Sequence, residues 1–291
     1  MGFIEQLING LNLGSIYALI ALGYTMVYGI AKMLNFAHGD VIMVGAYTLS
    51  LIMAGLNLPP IVAVITSVVV CSVLGVTIEK IAYKPLRKAS PLTVLITAIG
   101  VSYFLQSVAL LLFGSQQRKV DSVITISPIQ IGSIELTGES IITLSVTLII
   151  MVGLTLFIKK TKIGKAMLAV SEDKGAAQLM GINVNRTISI TFAIGSALAA
   201  VAGALYVSSY GFVGPYTGSL PGIKAFVAAV LGGIGSIPGA MLGGILLGII
   251  ESLSKAYIST NLADAIVFSV LIIVLLVKPS GLLGKIRMEK V

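Results

Sequence analysis

The chain is built from apolar runs of membrane length. Residues 7–31, 61–78, 92–114, 140–158 and 188–209 each hold a long apolar stretch. About 20 helical residues cross a bilayer core. Backbone groups in lipid must be satisfied within the protein, so even the Val- and Ile-rich run 61–78 is expected to be helical and not an isolated strand. Only 10% of the 291 residues are charged and 57% are hydrophobic, whereas a soluble domain carries about 25% charge. The sequence therefore predicts an all-α integral membrane protein, a polytopic helix bundle of about eight spans with broken or re-entrant helices. Residues 1–291 read as one transmembrane domain.

The net charge of +8 does not point to nucleic acid. Fourteen of the 19 bases fall in 80–88, 159–186 and 278–290. Those stretches are loops and a tail, so the bases report topology, by the rule that basic loops stay in the cytoplasm. Cys71 is the only cysteine, which excludes an internal disulfide and the common cysteine metal spacings. MGFIEQ carries an acid and no base, and the apolar run after it is span-length, so a cleavable signal is not expected.

In chain order, 32–40 (KMLNFAHGD) is a polar break, 41–56 is apolar but short for a crossing, and Asn57, Pro59 and Pro60 mark a turn. The basic stretch 79–90 is expected inside. Residues 115–139 are polar and nearly charge-balanced, and are expected outside, with room for a short hairpin. Residues 264–277 make a further span. The run 222–256 is interrupted at GGIGSIPG, and parity with an inside tail predicts two helices meeting at that break. If 32–40 is an inside turn, the N-terminus is outside; if it is a mid-membrane break, the N-terminus can be inside.

The one long polar interruption is 159–187. It carries six bases against Glu172 and Asp173, and is expected in the cytoplasm. Ser171 is placed to cap a helix with Glu172 and Asp173 in its first turn. Gly175, Ala176, Ala177, Leu179 and Met180 continue it, and Gly181 is placed to end it. Ala176, Leu179 and Met180 share a face. Such a helix either packs on its own protein or lipid surface, or docks another subunit.

Glycines and alanines recur at four-residue spacing (Gly195, Ala199, Gly203; Gly235, Gly239, Gly243; Gly244, Gly248), which brings helices close. Asn35, His38, Gly39 and Asp40, with Gly232, Gly233, Gly235 and Pro238, are candidates for a translocation path or gate, because irregular backbone at membrane depth lines cavities. The alternative is ordinary surface turns. Glu79, Lys224, Glu251, Lys255 and Asp264 fall near expected helix ends, where long side chains reach water, and no buried acid relay is expected. There is no P-loop, no nucleophile elbow and only one histidine, so no catalytic residue, metal site or cofactor is expected.

Gly175-Ala-Ala-Gln-Leu-Met-Gly181 resembles the cytoplasmic loop motif of bacterial ABC importer permeases, with Gly175 in place of the family's glutamate. LNLGSIYALIALGYTMVYGI (11–30), NFAHGD (35–40), LMGINVNRTISITFAIGSALAAVAGAL (179–205) and KAFVAAVLGGIGSIPGAMLGG (224–244) resemble the high-affinity branched-chain amino-acid permeases of the LivH type. The resemblance implies a subunit of the bacterial or archaeal inner membrane. It implies pairing with a homologous second permease, two cytoplasmic ATPase subunits docked on the loops, and an extracytoplasmic binding protein that delivers leucine, isoleucine or valine. In that reading Ser171–Gly181 is the coupling helix. Permeases for other amino acids, amides or urea look similar, and an autonomous secondary carrier or channel, or a membrane assembly protein, stays open from the residues alone.

Overall fold

The computed structural model describes residues 2–87, 89–124, 127–131 and 134–284. Lys88 and residues 285–291 of the basic tail lie outside the described residues. The chain forms α1 (Phe3–Ala31), α2 (His38–Ser50) with a π turn at Leu51–Gly55, and α3 (Pro60–Ile78) prolonged by a π turn at Glu79–Tyr83 and a 3-10 turn at Lys84–Leu86. After α4 (Pro91–Phe113) comes a polar segment with short strands β1 (Arg118–Lys119), β2 (Ile129–Ile131) and β3 (Ile134–Leu136). Then follow α5 (Gly138–Lys160), α6 (Lys162–Glu172), α7 (Lys174–Leu179) and α8 (Val184–Tyr210). Strand β4 (Phe212–Val213) leads to α9 (Ser219–Gly232), α10 (Ile237–Tyr257) and α11 (Ala263–Val277). Strands β2 and β3 form a hairpin, and β1 pairs antiparallel with β4.

Among the described residues, seven helices are long and apolar enough to cross a bilayer: α1, α2 with its π turn, α3 with its extension, α4, α5, α8 and α10. Helices α9 and α11 are shorter apolar helices. The starts are set by local chemistry. Ser90, Thr137, Asn183 and Ser236 each accept a backbone N–H at the first turn of α4, α5, α8 and α10, which satisfies donors that have no partner inside the helix. Prolines sit in the first turns of α3, α4 and α10, where a missing N–H costs nothing.

Helix α1 is the core of the bundle. The most apolar stretch of α1 is 83% buried, against 22% for α4 and for α5, which lie on the outside of the bundle. Its partner is α10. A Cβ on Gly14 would come within 2.7 Å of the Ile245 Cα, one on Gly10 within 2.7 Å of the Ile249 Cα, and one on Gly244 within 2.5 Å of the Ala18 Cα. Gly248 faces the backbone of Gly14. Gly10, Gly14 and Ala18 on one helix thus meet Gly244 and Gly248 on the other. Gly243 faces α9 at Ala228, Gly203 faces α2 at Ile42, and Gly195 faces α1 at Gly23 and Val27. Lipid tails are as apolar as leucine, so this backbone contact, and not water exclusion, holds the helices together.

The two ends of the bundle differ. At one end Lys174 Nζ donates to the Ala31 carbonyl (3.0 Å), Arg87 bonds Asn185, and the segment after α11 folds onto α9 through Leu282 N–H to Leu231 O (2.8 Å) and Leu283 N–H to Gly232 O (2.9 Å). Most bases of the described residues gather here. At the other end the Phe3 ring meets Tyr257 with centroids 6.4 Å apart, and β1 pairs with β4. Phe3 therefore lies at the end opposite the basic face. The sequence expectation of a short 41–56 run changes: the helix starts at His38, and the break is confined to Lys32–Ala37.

Replacing Gly248 by Leu forces a side chain into the α1 backbone. We expect a loss of about 3 kcal/mol or more, the upper part of the overpacking range, seen as a fall in detergent thermal stability or in monodisperse yield. Gly153 on α5 faces open space, with nothing within 4 Å of where a Cβ would stand, so Gly153→Leu is expected to stay within about 0.5 kcal/mol of the parent.

Candidate functional site

The interruption at 159–187 is two helices and not one. Thr161 starts α6 by accepting the Gly164 N–H (3.0 Å), and α6 buries Gly164, Met167 and Val170. The expected cap at Ser171 is corrected: the Ser171 hydroxyl donates to Leu168 O (2.7 Å) in the last turn of α6, and Glu172 ends that helix. Asp173 is the cap of α7, accepting the N–H groups of Gly175 (2.7 Å) and Ala176 (2.9 Å). Physically, one carboxylate oxygen, Asp173 Oδ1, accepts both N–H groups, and its charge suits the helix start.

At the other end Gly181 adopts φ +79°, its N–H reaches Gln178 O (3.0 Å), and the Ile182 N–H reaches Ala177 O (3.0 Å). This paired bonding closes the helix and favours glycine. Ala177 turns inward at 3% exposure, while Leu179 and Met180 are 91% and 82% exposed beside exposed Ala176 and Gly175. Lys174, in the first turn of α7, reaches the last carbonyl of α1. Burial, with the nearby Arg87 charge second, presses the Lys174 ammonium below the ordinary lysine pKa. The exposed apolar pair is thus carried on a helix fastened directly to the central helix of the bundle.

The break after α1 lies inside the protein. Lys32 takes a left-handed φ of 59°, and Asn35, His38, Gly39 and Asp40 are all buried. Tyr83, in the π turn after α3, donates to Asn35 Oδ1 (2.9 Å). The His38 ring stands edge-on to Tyr24 with centroids 4.7 Å apart, in space that Gly23 leaves free. Gln106 Nε2 on α4 donates to Asp40 Oδ1 (2.9 Å) and lies 3.3 Å from the Ser219 hydroxyl. Ser219 opens α9. Gly39 packs on Gly218 and Gly222, so the first turns of α2 and α9 touch inside the bundle, the arrangement of discontinuous helices. Gln106 and Ser219 escape sequence reasoning because nothing local marks a lone amide on an apolar helix as the partner of a distant acid.

Gly232, Gly233, Gly235 and Pro238 are elsewhere. Gly232 crosses Gly239 at close range, Gly233 and Gly235 take φ of +104° and +94°, and Gly235 and Pro238 are exposed at the basic end. They form the α9–α10 turn, which the 281–284 segment covers. The structure does not bring the two glycine-containing groups together.

One expectation is corrected outright. Glu251 on α10 is 1% exposed and receives Lys224 Nζ of α9 (2.8 Å), Lys255 Nζ (2.6 Å) and the Tyr17 hydroxyl of α1 (2.9 Å). Lys224 also reaches Asp264 at the start of α11 (2.6 Å). Lys224 and Glu251 are not snorkelling at helix ends; with Lys255 in the last turn of α10 and Asp264 in the first turn of α11, both partly exposed as expected, they tie four helices together. The sequence signal was Lys224 five residues into its helix, with Glu251 and Lys255 at i,i+4 spacing. A second buried acid, Glu79, takes the Ser189 hydroxyl (2.5 Å) and pairs with Arg87 at the basic end.

Glu251→Leu leaves the buried Lys224 with only half-exposed Asp264. A loss of about 3 kcal/mol is expected in thermal unfolding. Adding Lys224→Met should restore more than half of it, since Asp264 and Lys255 can then turn to solvent. A double variant no better than the single one would show that packing, and not charge pairing, dominates at this site.

The comparisons with known proteins agree in direction. A family model described as the permease component of the branched-chain amino acid transport system matches residues 6–275. The LivH permease protein of the high-affinity branched-chain amino acid transport system of Salmonella typhimurium is 47% identical over 302 residues, covering 99% of this chain and 98% of that one. The BraD permease protein of Pseudomonas aeruginosa is 47% identical over 305 residues, with the same coverage of both chains. A probable LivH permease protein of Methanocaldococcus jannaschii is 30% identical over 286 residues, covering 93% and 89%.

Proposed function

This chain belongs to the family of branched-chain amino acid transport permease components, and on that premise we propose that it forms half of the path of an ATP-driven importer for leucine, isoleucine or valine. The other half is a homologous permease. Two ATPase subunits dock on the basic end, which faces the cytoplasm, and a binding protein delivers the amino acid at the opposite end. Substrate class comes from the three relatives above, each named for branched-chain amino acids and covered nearly in full.

The observation that carries the reading is α7. A short helix outside the apolar bundle presents Leu179 and Met180 almost fully to solvent, which calls for a protein partner. Its two ends are fixed by Asp173 and Gly181, so it can transmit a push without unwinding. Lys174 passes that push to the C-terminus of α1, where the carbonyl end of the helix favours a cation. An ATPase that closes on nucleotide would move α7 and α1 together, a rigid-body switch. Gly175 replaces a glutamate at the exposed start of the helix, so polar anchoring falls to residues around it. Asn35, His38, Gly39 and Asp40 serve as the gate, because α2 and α9 begin side by side there and bare Gly39 and Gly222 backbones can slide.

The test is leucine uptake by the complex in proteoliposomes. Leu179→Asp with Met180→Asp should cut uptake at least 10-fold and loosen ATPase co-purification, while the permease still inserts. Ala177→Asp is a poorer probe, since Ala177 faces inward and the charge would disrupt α7 itself. Uptake by this chain alone under a cation gradient, or wild-type uptake in the Leu179/Met180 variant, would overturn the proposal.

A further inference from the structure

A polar cavity of about 260 Å³ opens at the end opposite the basic face, between the first turns of α1 and the last turns of α8 and α10. Asn9 and Asn12 of α1, Ser209 of α8 and Lys255 of α10 supply its polar side, and Leu13 and Ile16 supply an apolar wall. The Asn12 Oδ1 and Ser209 Oγ atoms are buried and have no hydrogen-bond partner in the protein. Leaving such an oxygen unsatisfied costs about 1–3 kcal/mol, so something that donates hydrogen bonds belongs there. The volume is several times the roughly 30 Å³ share of one water and lies below the roughly 300 Å³ at which pockets for drug-sized ligands begin. It suits a small ligand.

Charge defines the class. Lys255 is the cation on the cavity wall, and behind it Glu251, Lys224 and Asp264 complete a cluster of two ammoniums and two carboxylates. A balanced cluster offers no net attraction to an anion or a cation. It does offer an ammonium at one side of a cavity whose other side carries orphan oxygens. The Lys255 side chain is 39% exposed, so its ammonium can bridge Glu251 and a ligand carboxylate at once.

We propose that this cavity is a receiving subsite for a zwitterionic aliphatic amino acid. Lys255 takes the carboxylate, a turn of the Asn12 and Ser209 side chains toward the cavity lets their oxygens accept from the ammonium, and Leu13 and Ile16 cover the aliphatic side chain. The inference rests on the importer reading and adds a place within this chain where the amino acid pauses after release.

Two measurements on the assembled complex test it. With saturating leucine-loaded binding protein, Asn12→Leu and Lys255→Met should each lower uptake at least 10-fold, with binding-protein affinity and stimulated ATP hydrolysis within 2-fold of wild type. Lys255→Arg should keep at least half of the uptake. Uptake within 2-fold of wild type in both variants overturns the subsite, and so does a parallel loss of binding-protein affinity, which would make the face a docking surface. The second measurement needs no transport. Cys71 is buried and is this chain's only native cysteine, so Asn9→Cys, at an exposed position on the cavity wall, gives this chain one reachable thiol, read on its own band. Millimolar leucine should slow its modification by a methanethiosulfonate reagent at least 5-fold, while isovalerate and isopentylamine, each with one of the two charges, should not. No protection by leucine, or equal protection by either analogue, overturns the zwitterion assignment. If the wild-type complex fails to import branched-chain amino acids, the importer reading fails, and the labelling result still stands on its own.

Discussion

The backbone contact between α1 and α10 is the constraint from which the rest of the bundle follows. Gly10, Gly14 and Ala18 against Gly244 and Gly248 bring two helices so close that no larger side chain fits. In lipid there is no hydrophobic gain from burying one leucine against another, so helices associate through close dispersion contact. That contact fixes α10 along most of α1, and α10 carries Gly243 into α9. With α8 brought to α1 at Gly195, the central helix has neighbours on most sides. Helices α3, α4 and α5 then form the outer layer, and their large apolar side chains such as Phe104, Leu111 and Ile149 are exposed on the outside of the bundle.

Much of this was legible in the residues. The apolar runs fixed most of the spans within a few positions, because bilayer thickness dictates length and nothing else competes with it. The glycine spacing identified helix faces. It could not say which face met which, because one helix carries two small-residue faces and pairing is decided by the whole bundle. The α9–α10 turn was foreseen from GGIGSIPG and from topology parity. Residues 32–40 resisted, because a surface turn and an internal break use the same polar letters. What separates them is Tyr83 reaching Asn35 and Gln106 reaching Asp40, contacts across 48 and 66 residues that no local pattern encodes.

The errors share a cause. Ser171 looked like a cap because Ser, Glu and Asp all favour a helix start, yet α6 runs through that position and the start moves to Asp173. Lys224 and Glu251 looked like end residues because each sits near the edge of an apolar run. Both became interior when α9 proved short and began inside the bundle, which lowered its first two turns to the depth of α10 and α1. A charge can be placed by distance from the end of a run only when that run crosses fully.

These features divide the molecule into a stiff part and an adjustable part. The α1–α10 seam is backbone against backbone, and packed interfaces of this kind hold one arrangement or another and do not deform continuously. The ionic cluster at Glu251 adds α9 and α11 to the same body near the end opposite the basic face. Under the proposed coupling, a push on α7 enters through Lys174 at the foot of α1 and moves that body as a unit. The contact that can change without stranding a buried charge is the bare-glycine contact of α2 with α9; Asp40 beside it is a buried acid that keeps the Gln106 amide as its donor. A hinge there would let the opposite-end cavity and the basic face respond to one motion while the glycine seam stays intact.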